Sequence, residues 1–275
     1  MEKPLKDMYL WNSTFVSTKE EESLRPIQNN AVYEVLRIED GIPLFFEEHY
    51  ERLVASAAHV GRPLPFDRAD VKRQLWQLKT QNGMTFDNVK FLWSQTPTGS
   101  HFVLYVSPHR VVTDEERKDG CLTSLYQHER DNPNIKLQQN DYRLRTEAVT
   151  KERGVFELLL YDETGAIREG MRSNFFWIQD GKICTAPNAH VLMGITRAQV
   201  LRCILARGYE LEETLLDRAD LDTIEACFLT STSIDVLPIR AIDEKTYPSA
   251  DHPMIRALAE DYLKTIEDYK NDFRW

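Results

Sequence analysis

A two-lobe α+β protein is what this sequence predicts, and three observations predict it. The chain has 275 residues, enough for two modest cores. Its composition, 42 % hydrophobic and 28 % charged, is that of a folded chain rather than a disordered one. Segments of strand period and helix period also alternate on both sides of a charged, irregular stretch between Ser107 and Asn134. Residues 1–110 are therefore read as a small α+β lobe, 111–120 as a linker and 121–275 as a larger lobe.

In the first lobe, Tyr9 to Val16 and Ala31 to Ile38 are rich in apolar and aromatic residues, and Asp40-Gly41 leads into Ile42 to Phe46 as a hairpin. The spacing changes at Glu47. From there Tyr50, Leu53, Ala57 and Val60 share one helical face, with Gly61 placed to end it. Asp67 is placed to cap a second helix with the stripe Val71, Leu75 and Leu78, which Asn82-Gly83 stops. Val89 to Trp93 and His101 to Val106 alternate as paired strands.

The larger lobe opens with a helix at about Asp141 to Arg153. Strands Phe156 to Tyr161, Phe175 to Ile178 and Ile183 to Thr185 follow, with turns at Asp162 to Gly165 and Asp180-Gly181. Helix Arg197 to Arg207 carries Val200, Leu201, Ile204 and Leu205 on one face and is stopped by Gly208. Strand Ala226 to Thr230 precedes a last helix, about Met254 to Tyr269, whose buried side is Ile255, Leu258, Ala259, Tyr262 and Ile266.

Composition excludes several function classes. A net charge of −10 with no basic cluster argues against a nucleic-acid partner. No apolar run approaches the ~20 residues that span a bilayer, and the opening residues lack the apolar core of a signal peptide, so neither a membrane partner nor export is expected. The expected compartment is the cytoplasm. Cys121, Cys184, Cys203 and Cys227 form no CxxC spacing and are read as buried thiols; the seven histidines are scattered, so no metal is expected.

Three features suggest an anionic ligand. Gly194-Ile195-Thr196 opens the helix at Arg197, where a glycine permits close approach, Thr196 sits at the cap position, and the free N–H groups suit a phosphate. Taken alone, a plain helix cap is the simpler reading. The polar run Thr230-Ser231-Thr232-Ser233 directly follows an apolar strand, as an ordinary strand-end turn also would. Glu169 to Asn174 is a polar break before Phe175, and for Glu169 by itself an exposed loop position is the simpler reading.

In order and spacing these pieces resemble the class IV (fold type IV) pyridoxal-phosphate-dependent aminotransferases. That family includes branched-chain and D-amino acid aminotransferases and aminodeoxychorismate lyase. The resemblance covers about residues 28 to 240. Val32-Tyr33-Glu34-Val35-Leu36-Arg37 with Asp40-Gly41 resembles the opening strand pair, and Glu48-His49-Tyr50-Glu51-Arg52-Leu53 the helix motif whose arginine, Arg52, contacts the cofactor phosphate. Lys136 stands 33 residues before Glu169, similar to the family's separation between its Schiff-base lysine and the glutamate facing the pyridine nitrogen, with Gly154 and Glu157 at matching positions between them.

What the resemblance implies follows residue by residue. Lys136 carries pyridoxal 5'-phosphate and shuttles the α-proton, and Glu169 keeps the ring nitrogen protonated. Ile195 and Thr196 open the phosphate cup, Thr232 and Ser233 complete it, and Asn174 matches the asparagine after the glutamate. The implied fold is a small α/β N-terminal lobe with a larger pseudo-barrel lobe, and the implied assembly is a homodimer. The implied activity is transfer of an amino group between an amino acid and a keto acid. Elimination from an aminodeoxychorismate-like substrate, or a catalytically silent relative, stands as the alternative.

The match departs at Asn29-Asn30-Ala31, where a glycine-rich entry is frequent, and at Gln139, where an asparagine is frequent. Tyr142 lies near the place of a tyrosine beside the cofactor hydroxyl. Ser94 to Gly99 has no arginine where relatives often grip a substrate carboxylate; Arg37, on the opening strand beside Tyr33, or Arg143 and Arg145, could serve instead.

Overall fold

A computed structural model describes residues 3–19, 30–97, 99–130 and 132–275; Asn29 and Thr98, used above, lie outside the described residues. The chain clusters into two compact units. The first comprises residues 1–110, 135–142 and 268–275, the second residues 111–134 and 143–267.

The first unit is built on a six-stranded antiparallel sheet of order β2-β1-β6-β5-β3-β4. Its strands are β1 (Met8–Trp11), β2 (Thr14–Ser17), β3 (Val32–Glu39), β4 (Ile42–Pro43), β5 (Phe86–Thr96) and β6 (Gly99–Ser107). The apolar run Tyr9 to Val16 is two strands rather than one, because Asn12 and Ser13 both take positive φ and form a tight hairpin turn. Helices α1 (Phe46–His59) and α2 (Arg68–Asn82) follow the expected spans. Asp67 does cap α2, accepting from the Asp70 N–H at 2.8 Å, and Gly83 ends it at φ +60°.

Alternation in β3 and β5 sends Val32, Leu36, Ile38, Val89, Phe91 and Trp93 to one face, where Leu53, Ala57, Val71, Leu75 and Leu78 of the two helices pack. The opposite face carries Tyr9, Tyr33, Leu92, Val103 and Tyr105.

Residues 135–142 fall in the larger lobe by sequence order, yet in the structure they belong to the first unit. Backbone bonding explains it. Val32 bridges Leu137, the Tyr33 N–H donates to the Lys136 carbonyl at 2.9 Å and the Gln138 N–H to the Ala31 carbonyl at 2.9 Å, so this short extended stretch adds an edge to β3.

The second unit carries the ten-stranded sheet. Its strands are β7 (Cys121–Gln127), β8 (Glu157–Tyr161), β9 (Ala166–Gly170), β10 (Asn174–Gln179), β11 (Lys182–Thr185), β12 (Leu211–Glu213), β13 (Leu216–Asp217), β14 (Ala226–Ser231), β15 (Asp235–Ile242) and β16 (Lys245–Thr246). Strands β10, β14, β15, β7, β8 and β9 pair in sequence, and β9 returns to β10 through the single pair Glu169 with Asn174. That pair closes the ring, giving the pseudo-barrel. Its core is Phe175, Trp177, Cys227, Leu229, Leu237 and Ile239 with Leu159 and Ile167.

The stretch read as irregular between Ser107 and Asn134 holds helix α3 (Asp114–Asp119), with a Thr113–Glu116 capping box, and all of β7. Helices α4 (Asn140–Arg153), α5 (Ile195–Ala206) and α6 (Pro253–Asp272) match their expected places within two or three residues. The four cysteines are buried free thiols. Among the described residues no helix is long and apolar enough to cross a membrane.

Candidate functional site

Two clusters of buried polar residues stand out, one in each unit. In the first unit the centre is Glu34. It lies in the inward phase of β3, among Val32, Leu36 and Ile38, and is 1 % exposed. An ionised carboxylate there is tolerable only if it is fully paired. Arg52, in the second turn of α1, forks onto it through Nε at 2.8 Å and Nη2 at 2.6 Å; Lys136 Nζ lies 2.9 Å and His49 Nδ1 3.2 Å from Oε1.

The electrostatics follow from that geometry. Burial works to raise the Glu34 pKa, but Arg52, then Lys136 and His49, outweigh it and hold the carboxyl well below the usual range. Burial likewise lowers Lys136 to about 8, helped by the Arg52 charge and opposed by Glu34. Burial lowers His49, against its Glu34 contact. A lysine so placed has a substantial neutral fraction near neutral pH, which a nucleophile or base requires.

Of the residues singled out from sequence, the structure brings Arg52 and Lys136 together on Glu34, and Tyr33 to Lys136, whose Nζ sits 5.3 Å from the ring centroid. Arg37 is buried on the Tyr33 face of β3, with Nη2 3.4 Å from Glu39. Tyr142 is half-buried in the first turn of α4. Arg143 pairs with Glu147 at 3.5 Å and Arg145 is exposed. Glu34, His49 and Lys90, whose Nζ sits 4.8 Å from the same Tyr33 ring, are additions to the sequence reading.

In the second unit the cluster gathers at the barrel closure. Glu169, which by itself reads as an exposed loop residue and by the resemblance as a ring-facing carboxylate, is 4 % exposed at the end of β9. Arg130 donates to its Oε1 at 3.0 Å and the Leu192 N–H to its Oε2 at 3.1 Å. Burial pushes the Glu169 carboxyl above its ordinary value against both of these. Asn174 donates through Nδ2 to the Leu192 carbonyl at 2.8 Å. One backbone segment thus satisfies both members of the closing pair.

Helix α5 begins two residues earlier than expected, at Ile195 rather than Arg197, so Thr196 is not its cap. Gly194 is the N-cap, no side chain caps the helix, and the buried Thr196 hydroxyl lies 3.3 Å from the Tyr262 hydroxyl instead. A Cβ on Gly194 would run into Asn174 Oδ1, so the close approach there needs glycine. Ile195 is buried in the first turn, and Thr232 and Ser233 are half-buried in the turn from β14 to β15. The Thr230 hydroxyl, 1 % exposed and opposite Asn174 in register, has no partner.

Each cluster, taken by itself, carries groups of the kind that pyridoxal phosphate requires. A lysine that deprotonates near pH 8, an uncapped helix start with an orphaned hydroxyl on the neighbouring strand, and a buried carboxylate are what its aldehyde, its phosphate and its ring nitrogen require.

Comparison with known proteins agrees. The amino-transferase class IV model matches residues 31–242. A D-alanine aminotransferase of Bacillus licheniformis is 28 % identical over 234 residues, covering 80 % of this chain and 81 % of that protein. A probable branched-chain-amino-acid aminotransferase of Rickettsia bellii is 25 % identical over 256 residues, covering 86 % and 87 %. Among solved structures, a T.th. branched-chain amino acid aminotransferase with pyridoxamine 5'-phosphate superposes with a TM-score of 0.86 at 21 % identity over 98 % of each chain. The Escherichia coli branched-chain enzyme gives 0.83 at 19 % over 98 % of each. The chain belongs to the amino-transferase class IV family.

Proposed function

We infer that this chain is a transaminase moving an amino group between an amino acid and a keto acid with pyridoxal 5'-phosphate, and that Lys136 is its catalytic residue. The observation that carries the assignment of Lys136 is its burial against Glu34 with a pKa near 8. The family relationship and the aminotransferase names of the relatives favour transfer over elimination.

When bound, pyridoxal phosphate supplies an electron-withdrawing ring that stabilises negative charge at the substrate's α-carbon. The rest is done by side chains. Neutral Lys136 Nζ would take the proton from the substrate's α-carbon and later give it up again, and Glu34 holds that nitrogen in place at 2.9 Å while compensating its charge. Glu169 would pair with the ring nitrogen; a buried carboxylate is stabilised by a cationic partner, and Arg130 and the Leu192 N–H keep it oriented.

Arg52, the first turn of α5 at Ile195 and Thr196, and the hydroxyls of Thr232 and Ser233 would hold the phosphate. Tyr33, Arg37 and Tyr142 are assigned to the substrate and the ring hydroxyl. A homodimer and a cytoplasmic location complete the proposal; the buried free thiols support a reducing compartment.

The deciding experiment is the visible spectrum of the protein with pyridoxal phosphate, before and after borohydride, beside Lys136→Ala. Yellow colour that borohydride fixes covalently in wild type and not in the variant is the expected result. A wild type that stays colourless sinks the proposal.

A further inference from the structure

Glu157 is a buried carboxyl for which the proposed chemistry has no task. It opens β8 and is 4 % exposed. Its Oε2 accepts from the Ser173 hydroxyl at 3.4 Å, and its Oε1 has no partner. Its neighbour across the parallel pairing, Thr123, donates its hydroxyl elsewhere, to the Ala241 carbonyl at 3.0 Å. Burial, opposed by the Arg172 charge, the Ser173 hydroxyl and the backbone N–H groups of Arg172 and Leu158, brings the Glu157 pKa up to about 7. A core position that wanted only volume would be filled at lower cost by an apolar residue.

What Glu157 touches is the turn from β9 to β10. The Gly170 N–H donates to the Ser173 carbonyl at 2.8 Å and the Met171 N–H to the Leu158 carbonyl at 2.9 Å, so the turn is folded down onto the start of β8. It fits there without slack: a Cβ on Gly170 would strike the Ser173 hydroxyl and lie 3.2 Å from Glu157 Cγ. The residues flanking this turn are Glu169 and Asn174, the one pair that closes the barrel.

We propose that Glu157 is a positioning residue: through Ser173 its carboxyl sets the β9–β10 turn, and so fixes where Glu169 and Asn174 present their polar groups. This rests on the assignment of Glu169 to the ring nitrogen made above. A turn pinned at one end only by backbone bonds can shift by fractions of an ångström, and a misplacement of about 1 Å costs on the order of 100-fold in rate.

The test uses the full protein loaded with pyridoxal phosphate. Glu157→Ala, Glu157→Gln, Ser173→Ala and the double alanine variant are compared for kcat, KM, thermal midpoint and the dissociation constant of pyridoxamine phosphate followed by fluorescence. The expected result for Ser173→Ala, which deletes the link and keeps the carboxyl, is a fall in kcat of roughly 10-fold or more. KM and the thermal midpoint should stay near wild type, with weaker pyridoxamine phosphate binding. Glu157→Gln, whose amide can still meet the hydroxyl, should recover kcat to within about threefold. The double alanine variant should be little worse than either single one.

If Ser173→Ala or Glu157→Ala matches wild type in kcat and cofactor binding, or if losses follow the thermal midpoint alone, the inference is overturned while the transaminase reading stands. A wild type without the borohydride-fixed colour would fail the underlying reading instead.

Discussion

Glu34 does two jobs with one carboxylate. It neutralises Arg52 and Lys136, and it holds up a lysine pKa that burial and Arg52 both push down. Its charge is retained far into acid, because its folded pKa lies well below that of a free glutamate; its stabilising contribution is lost only as pH falls through that low value. Covalent capture of pyridoxal phosphate by Lys136 needs the neutral amine, so its rate should rise with pH through about 8 and then level off. In Glu34→Gln the opposing charge is gone, and the midpoint should move lower still. The same change takes the forked carboxylate away from Arg52 in a buried place and should cost about 3–5 kcal/mol of stability. Stopped-flow absorbance across pH and urea unfolding would check the pair; an unmoved midpoint would disprove the electrostatic account.

At the scale of elements, the start of α5 depends on one missing methyl group. Gly194 has an ordinary φ of −66°, so alanine is conformationally permitted there, and only the collision with Asn174 Oδ1 opposes it. Gly194→Ala should therefore lose about 1–3 kcal/mol by overpacking and displace Asn174 from the Leu192 carbonyl. Pyridoxal phosphate should bind more weakly while α5 keeps its length by circular dichroism. Unchanged affinity would show that the approach of Gly194 to Asn174 is incidental.

The elements differ in how well the sequence announces them. Helices α1, α2, α5 and α6 carry clear apolar stripes and glycine or aspartate ends, and they are legible. Strand β15 is not, because Pro238 lies inside it and normally argues against a paired strand; here it sits opposite Phe228. Strands β7 and β9 place Thr123, Ser124, Arg168 and Glu169 among apolar residues, which hides the alternation. Lys136 and Glu169 are readable only through the family spacing, since a lysine's burial depends on chain segments far away. Glu34 does leave a signal, a carboxylate in the apolar phase of β3; Arg130, in a polar irregular stretch, leaves none.

For the whole molecule, the first unit is discontinuous in sequence. Residues 268–275 belong to it: the Tyr269 hydroxyl donates to Glu47 at 2.6 Å and accepts from the Phe46 N–H at 2.9 Å, and Phe273 packs in its core. Removing these eight residues should cost several kcal/mol, since loss of one buried Phe alone is worth about 3–5. The expected outcome is a first unit that melts earlier, read from near-ultraviolet circular dichroism; an unchanged melting curve would argue that these contacts are dispensable.

Time of synthesis gives that discontinuity a further meaning. At roughly 5–20 residues per second a ribosome needs many seconds to travel from Glu34 to Tyr269. During that interval Glu34, Arg52 and then Lys136 have all left the exit tunnel, yet the helix-start contacts from Tyr269 are still missing. The nascent chain therefore waits with its most polar interior group in an incomplete unit, and the body that holds its lysine is finished only after translation has passed residue 268.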